Sequence, residues 1–303
     1  MQEPLGIARA QIREIWPPER WQRERQGYWS VVRRWVEERL RRTSRGERHP
    51  VYDFLFEYYS FRPSQLMRWS PGWGVLLQSA SWEDVGWKGF QATATGIVLP
   101  AAAFPQQRLD YLRWAVEYLS TVSTREPSYS CLGLHEWAMV YRQAEIRHPY
   151  VPLRLRRCEI DAVVECHCLQ CTHYDAYRFF TPAARPRNRW PLSRLTTIAQ
   201  DQPGCLHVNM DLYRFAYKIA PFCPSQLLAA AFEVARQARE IDMRASPYDL
   251  RDYGLTPICI ETASGRAEYV EAQRRIYELA QPLRRQLCTL YRQLLEQRCH
   301  ETL

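Results

Sequence analysis

Leu206–Ala220 reads LHVNMDLYRFAYKIA, and the rest of the chain is best understood outward from it. At 100° per residue, His207, Asp211, Arg214 and Lys218 fall in a stripe about 60° wide, because their spacings are four, three and four. The remaining circumference is apolar or aromatic and is broken only by Asn209. A helix apolar nearly all round is a buried helix, so the narrow ionisable stripe is expected to face an internal cavity. The plainer alternative is a solvent edge on which Asp211 pairs with Arg214 or Lys218.

Around this helix the same periodicity predicts helices over Arg20–Arg42, from Pro50 to Arg62, over Pro105–Ser120, Leu132–Gln143, Ser225–Arg244 and Gly265–Gln297. Short strands are predicted at Ala92–Leu99, Val151–Leu155 and Pro257–Glu261. Thr181–Gly204 has no sustained period and reads as a long loop of the kind that lids or binds. Pro71-Gly72-Trp73-Gly74 reads as a tight turn. The expected fold is α+β and predominantly helical, a compact helical domain with a few short strands. Residues 1–48 form a basic N-terminal helical segment and residues 49–303 a single main domain.

The chain has 303 residues, 46% hydrophobic and 24% charged, which excludes disordered and collagen-like classes. Of its 41 basic residues only Lys88 and Lys218 are lysine, leaving 39 arginines and a net charge of +8. Arginine beside 11 Trp, 18 Tyr and 10 Phe permits nucleic-acid binding, so a non-catalytic nucleic-acid-binding protein is one reading. No apolar run reaches the length of a membrane span, and Met1-Gln2-Glu3-Pro4 opens no signal peptide. Ten cysteines in a chain long enough for a core need no disulfide framework. The expectation is a cytoplasmic protein with reduced thiols and no membrane partner.

Asp161–Phe180 (DAVVECHCLQCTHYDAYRFF) is the second stretch with chemistry, and its period is ambiguous. As a strand it places Glu165, His167, Cys171, His173 and Asp175 on one face. As a helix it sets His167, Cys171 and Asp175 in one stripe, away from Glu165 and His173. Thiolate, imidazole and carboxylate together are ligands for iron or zinc, and a catalytic metal would draw on His135, Glu136, His167, His173 and His207. Cys166, Cys168 and Cys171 lack the paired Cys-x-x-Cys spacing of structural zinc sites. Acid–base catalysis without a metal needs only a carboxylate with an adjusted pKa and a nearby imidazole, and Asp175 with His173 or Asp211 with His207 supplies both. His135-Glu136 opens a short helical stretch where a capping or surface role is the simpler expectation. Dinucleotide, P-loop, zincin and α/β-hydrolase motifs are all absent from the sequence.

Several long strings carry a resemblance. HPVYDFLFEYYSFRPSQLMRWSPG (49–72), LGLHEWAMVYR (132–142), EIDAVVE (159–165), CTHYDAYRFFTPAARP (171–186), QPGCLHVNMDLYRFAYK (202–218), MRASPYDLRDYGL (243–255) and IETASGRAEYVEAQR (260–274) resemble a bacterial family commonly named 3-methyladenine DNA glycosylase. The resemblance implies DNA repair by base excision: a damaged purine is flipped into an aromatic pocket, a carboxylate assists water, and the N-glycosidic bond breaks. A lyase-type enzyme needs an amine, and lysine is nearly absent, so a monofunctional hydrolase without a cofactor is the natural form. On that reading we assign Asp211 or Asp175 as the carboxylate and His207 or His173 as proton relay. Trp137 and Tyr177 would stack on the base, Arg178, Arg214 and Lys218 would bind phosphate, and His135 and Glu136 would complete the substrate pocket. A metal-dependent enzyme, with non-haem iron or zinc, acting on a small molecule is the alternative.

Overall fold

Twelve α-helices and four short strands, all four strands before residue 99, make up a computed structural model that describes residues 12–300 except 144 and 147. In order they are β1 (Glu14–Trp16), α1 (Pro18–Ser44), α2 (Phe54–Glu57), α3 (Pro63–Leu66), β2 (Val75–Gln78), α4 (Trp82–Val85), β3 (Gln91–Ala92), β4 (Gly96–Val98), α5 (Leu109–Thr124), α6 (Leu134–Ala138), α7 (Arg157–Cys166), α8 (Tyr174–Tyr177), α9 (Thr197–Gln200), α10 (Leu206–Lys218), α11 (Ser225–Arg244) and α12 (Ala263–His300). The architecture is α+β and predominantly helical. The first eleven residues of the expected segment 1–48 lie outside the described residues.

Helix α1 starts with Pro18, whose missing N–H is no loss in a first turn, and ends on Arg41 and Arg42 near the negative end of its dipole. Its Trp21, Tyr28, Val32, Trp35 and Val36 are buried in the same hydrophobic core as the helices that follow. The small sheet runs β1-β2-β4-β3, with β1 parallel to β2 and the other pairs antiparallel. Strand β4 must begin with glycine: a Cβ on Gly96 would lie 1.9 Å from the Leu77 carbonyl oxygen.

The long helices make the frame of the site. Helix α10 packs on α11 and α12, and α12 also covers α5. Ala229, Ala231, Ala235 and Ala238 of α11 are all buried, and such small side chains let neighbouring helices approach closely. Helix α10 is buried on most of its circumference, as its composition predicts.

Several predicted elements are shorter than expected. The helix read over Leu132–Gln143 holds only over α6, because Leu132, Gly133 and Arg142 take left-handed backbone with φ of 52°, 72° and 51°. The strand read over Ala92–Leu99 is a hairpin, turned where the Thr93 N–H donates to the Gly96 carbonyl at 2.8 Å. Val151–Leu155 contributes only a bridge between Leu153 and Tyr248, and Pro257–Glu261 forms no strand. The ambiguous 161–180 stretch is neither a full strand nor one helix: α7 ends at Cys166, and the chain runs extended to the single turn of α8.

Candidate functional site

Five separate pieces of chain bring ionisable side chains to one place: α6, the turn of α8, the residue after α9, and the facing sides of α10 and α11. On α6, His135 and Glu136 are 3% and 4% exposed, which corrects the capping or surface role expected for them. Burial of two ionisable groups is tolerated because each has a partner on α11. His135 Nε2 lies 2.5 Å from Asp242 Oδ1. Arg239 donates at 2.7 Å to Glu136 Oε1 and at 2.8 Å to Asp242 Oδ2. His207, from the first turn of α10, has its Nε2 3.9 Å from Asp242 Oδ2 and its ring edge-on to His135 at 4.6 Å between centroids.

A second group adjoins the first. The His207 and His173 rings stack at 5.6 Å. Two carboxylates flank His173: Asp201 at 3.1 Å from Nδ1 and Asp211 at 3.6 Å from Nε2. Tyr118 donates to Asp201 at 2.7 Å and Tyr59 to Asp211 at 3.0 Å. Arg214 bridges two acids, at 2.5 Å from Asp211 and 2.8 Å from Asp175. Arg178 reaches the other oxygen of Asp175 at 3.3 Å.

Burial and charge push these groups apart in acidity. Burial opposes the His135 cation, but Asp242 and Cys131 outweigh it and raise its pKa well above the usual imidazole value. His173 is likewise raised, against burial, chiefly by Asp201. His207 goes the other way: burial and the neighbouring cations hold it neutral. Burial raises Asp211, whereas Arg214 overcomes burial at Asp175 and keeps that carboxylate ionised. Two carboxylates of opposite tendency joined by one arginine are a common basis for dividing acid and base roles.

The second group opens to the outside. A pocket of about 470 Å³ is lined by His173 and Asp175, by the aromatic side chains of Tyr111, Trp114, Tyr174 and Phe215, by Thr197, and by Arg194, Arg214 and Lys218. A neighbouring pocket of about 530 Å³ shares Asp175, Arg194 and Arg214 with it and adds Arg48, Arg178 and several tyrosines. Along α10 the predicted stripe has Lys218 exposed, Arg214 half-buried and Asp211 buried, while the His207 side chain is 12% exposed. Only Arg214 and Lys218 of the stripe line the pocket, and Asp211 pairs with Arg214 as the plainer alternative has it, although Asp211 is buried rather than at a solvent edge.

Not every predicted residue joins the site. Trp137 is fully buried and donates its indole N–H to the Ala245 carbonyl at 2.8 Å, so its ring is core rather than pocket wall. Tyr177 packs on Phe180 at 5.2 Å and lines neither pocket. His167 turns back onto the Val163 carbonyl of its own helix at 2.8 Å, and Cys166 and Cys168 are exposed thiols. Cys171 is buried against Cys131.

Asp242, Arg239 and Asp201 complete the site and were missed by the sequence reading. The pair on α11 carried a signal: Arg239 and Asp242, three residues apart, share a face with the buried Ala235 and Ala238 of an otherwise alanine-rich helix. Asp201 carried none, since it follows the single turn of α9 inside a stretch whose path only the fold determines. Comparison with family models, curated proteins and solved structures finds no match for this chain. Among the described residues no helix is long and apolar enough to cross a membrane.

Proposed function

We propose that the chain is a hydrolase of the N-glycosidic bond of a purine, acting on the base of a 5′-phosphorylated nucleoside that is either free or extruded from a DNA strand. One observation carries this reading: the pocket lined by His173 and Asp175 also holds four aromatic side chains with Arg194, Arg214 and Lys218, and the neighbouring pocket that shares Asp175 adds Arg48 and Arg178. Aromatic walls accept the faces of a base, and guanidinium groups pair with phosphate in two-pronged fashion. The resemblance to 3-methyladenine DNA glycosylases points to the same bond.

The roles follow from acidity and position. Asp175, kept ionised by Arg214, accepts a proton from water as its oxygen bonds to C1′ of the sugar. The C1′–N bond breaks with its electron pair on the base, and protonated His173 donates a proton to the departing nitrogen. Asp201 fixes that imidazole through Nδ1 at 3.1 Å, which leaves Nε2, 3.6 Å from Asp211 and not hydrogen-bonded to it, as the nitrogen that donates. No lysine is asked to attack the sugar, in keeping with the monofunctional form.

Release of free base from purine nucleoside 5′-phosphates and from alkylated duplex DNA tests the proposal. Asp175→Asn is expected to slow release by about 10²- to 10⁴-fold, the usual contribution of a positioned acid or base. Absence of free base with every such substrate would remove the reading.

A further inference from the structure

We propose that His135, His207 and Asp242 form a binding site for one divalent transition metal, iron(II) or zinc(II), set behind the His173 ring that lines the pocket. The inference is independent of which bond the pocket's occupant loses.

Ligand type comes first. Two imidazoles and one carboxylate are a donor set shared by non-haem iron(II) and catalytic zinc sites, and harder ions such as magnesium and calcium favour all-oxygen sites. Their ligand atoms all lie within 4.8 Å of one another, from three different helices. Bonds of about 2.0–2.1 Å place neighbouring ligand atoms roughly 3.3 Å apart in a tetrahedral site. His207 Nε2 and Asp242 Oδ2 are 3.9 Å apart, and His135 Nε2 and Asp242 Oδ1 are 2.5 Å apart. The two distances are to different carboxylate oxygens, so Asp242 would ligate through both or turn to offer one. The His135 contact must open by somewhat under 1 Å, and the widest pair, within 4.8 Å, must close by up to about 1.5 Å, with an ion replacing the proton between His135 and Asp242.

His207 is the decisive residue. Its side chain is only 12% exposed, yet among the described residues it forms no hydrogen bond, and its nearest ionic partner is the distant oxygen of Asp242. A nearly buried imidazole that makes no hydrogen bond and has a carboxylate 3.9 Å from its Nε2 has an evident use as a ligand. The surroundings are those of a supported metal site. His135 Nδ1 is turned by Cys131 Sγ at 3.3 Å, and Arg239, neutralised by Glu136, fixes the Asp242 carboxylate.

The adjoining group of His173, Asp175 and Asp211 also brings its ligand atoms together, but a single arginine ties both of its carboxylates, whereas Asp242 gives only Oδ2 to Arg239 and turns Oδ1 to His135. Arg214 holds Asp175 and Asp211 at once, Tyr59 holds Asp211, and Arg178 holds Asp175. A cation there would displace a guanidinium from two acids. The geometry therefore divides the two groups into a metal-holding triad and a substrate-facing acid–base set.

Chelator-treated full-length protein, freed of any affinity tag, should take up one equivalent of zinc(II), or of iron(II) without oxygen, and retain it through gel filtration. At 100 times the dissociation constant the melting temperature should rise by about 5 °C, whereas magnesium and calcium should leave it unmoved. His207→Gln should weaken uptake by more than about 100-fold, beyond the loss typical of residues that only orient a ligand. That variant is expected to fold, since the ring gives up no hydrogen bond, and His167→Ala should bind like the native chain. Cobalt(II) in the native protein supplies a reading that needs no variant: its spectrum should lack a thiolate-to-metal charge-transfer band. Failure to take up zinc(II) or iron(II), equal uptake by His207→Gln, equal response to calcium, or a thiolate band would each overturn the proposal.

Discussion

Replacing Asp242 by asparagine isolates the charge at the centre of the buried network. The side chain keeps its volume and one carbonyl acceptor, so no cavity opens. It loses the negative charge shared by His135 at 2.5 Å and Arg239 at 2.8 Å, both of which are at most 3% exposed. Removing one partner of a buried ion pair costs about 3–5 kcal/mol. Two features place this case near the lower end of that range: His135 can give up its proton, and Arg239 keeps Glu136 at 2.7 Å. A loss of about 3 kcal/mol corresponds to a fall of roughly 6 °C in melting temperature for a chain of this size. Asp249→Asn is the control, because Asp249 pairs with an Arg251 that is 72% exposed, and such pairs contribute at most about 1 kcal/mol. Urea unfolding of chelator-treated protein, followed by tryptophan fluorescence and far-ultraviolet circular dichroism, measures both variants. A double variant with His135→Gln should lose less than the sum of the single losses by about 1 kcal/mol or more. The reasoning is refuted if Asp242→Asn is no more costly than Asp249→Asn, or if the two site variants simply add.

Stability should also respond to pH through the same residues. His207 is held below the ordinary imidazole value, so its contribution is present above about pH 6.5 and is lost as pH falls. His207→Gln should flatten the acid limb of the metal-free protein's stability profile by up to about 1.4 kcal/mol per pH unit below pH 6.5. His135, raised instead, contributes fully below that value and loses its contribution as pH climbs through its folded pKa, so His135→Gln should flatten the alkaline limb. Trp114→Ala should raise the KM for base release by about tenfold, as loss of one stacking surface costs about 1–3 kcal/mol. Trp137→Phe should lower stability by about 1–2 kcal/mol through the unpaired Ala245 carbonyl, measured by urea unfolding, with KM unchanged.

How far the sequence can be read depends on whether local pattern or tertiary position decides the outcome. Helices α1, α10, α11 and α12 match their predicted spans closely because each carries a long amphipathic or wholly apolar repeat. The stripe on α10 is legible for the same reason, since four ionisable residues at helical spacing share a face wherever the helix packs. His173 and Asp175 were legible by residue type, but not the bend between Cys166 and Tyr174 that brings them against Asp211. Trp137 and Trp114 look equally suited to hold a base; only packing sends one into the core and the other to the pocket wall. Asp242 shows the limit most clearly. Apart from Arg239 on its own helix, its partners stand on α6 and α10, more than 30 residues away along the chain, and no local period announces them.

The central claim is that the pocket above His173 is where a purine loses its sugar. Free base released from 5′-phosphorylated purine nucleosides and alkylated DNA, measured side by side for the native chain and Asp175→Asn, addresses it most directly. Release by the native chain that falls at least about 100-fold in a folded Asp175→Asn variant is the expected result. No release by the native chain, or equal release by both proteins, would contradict it.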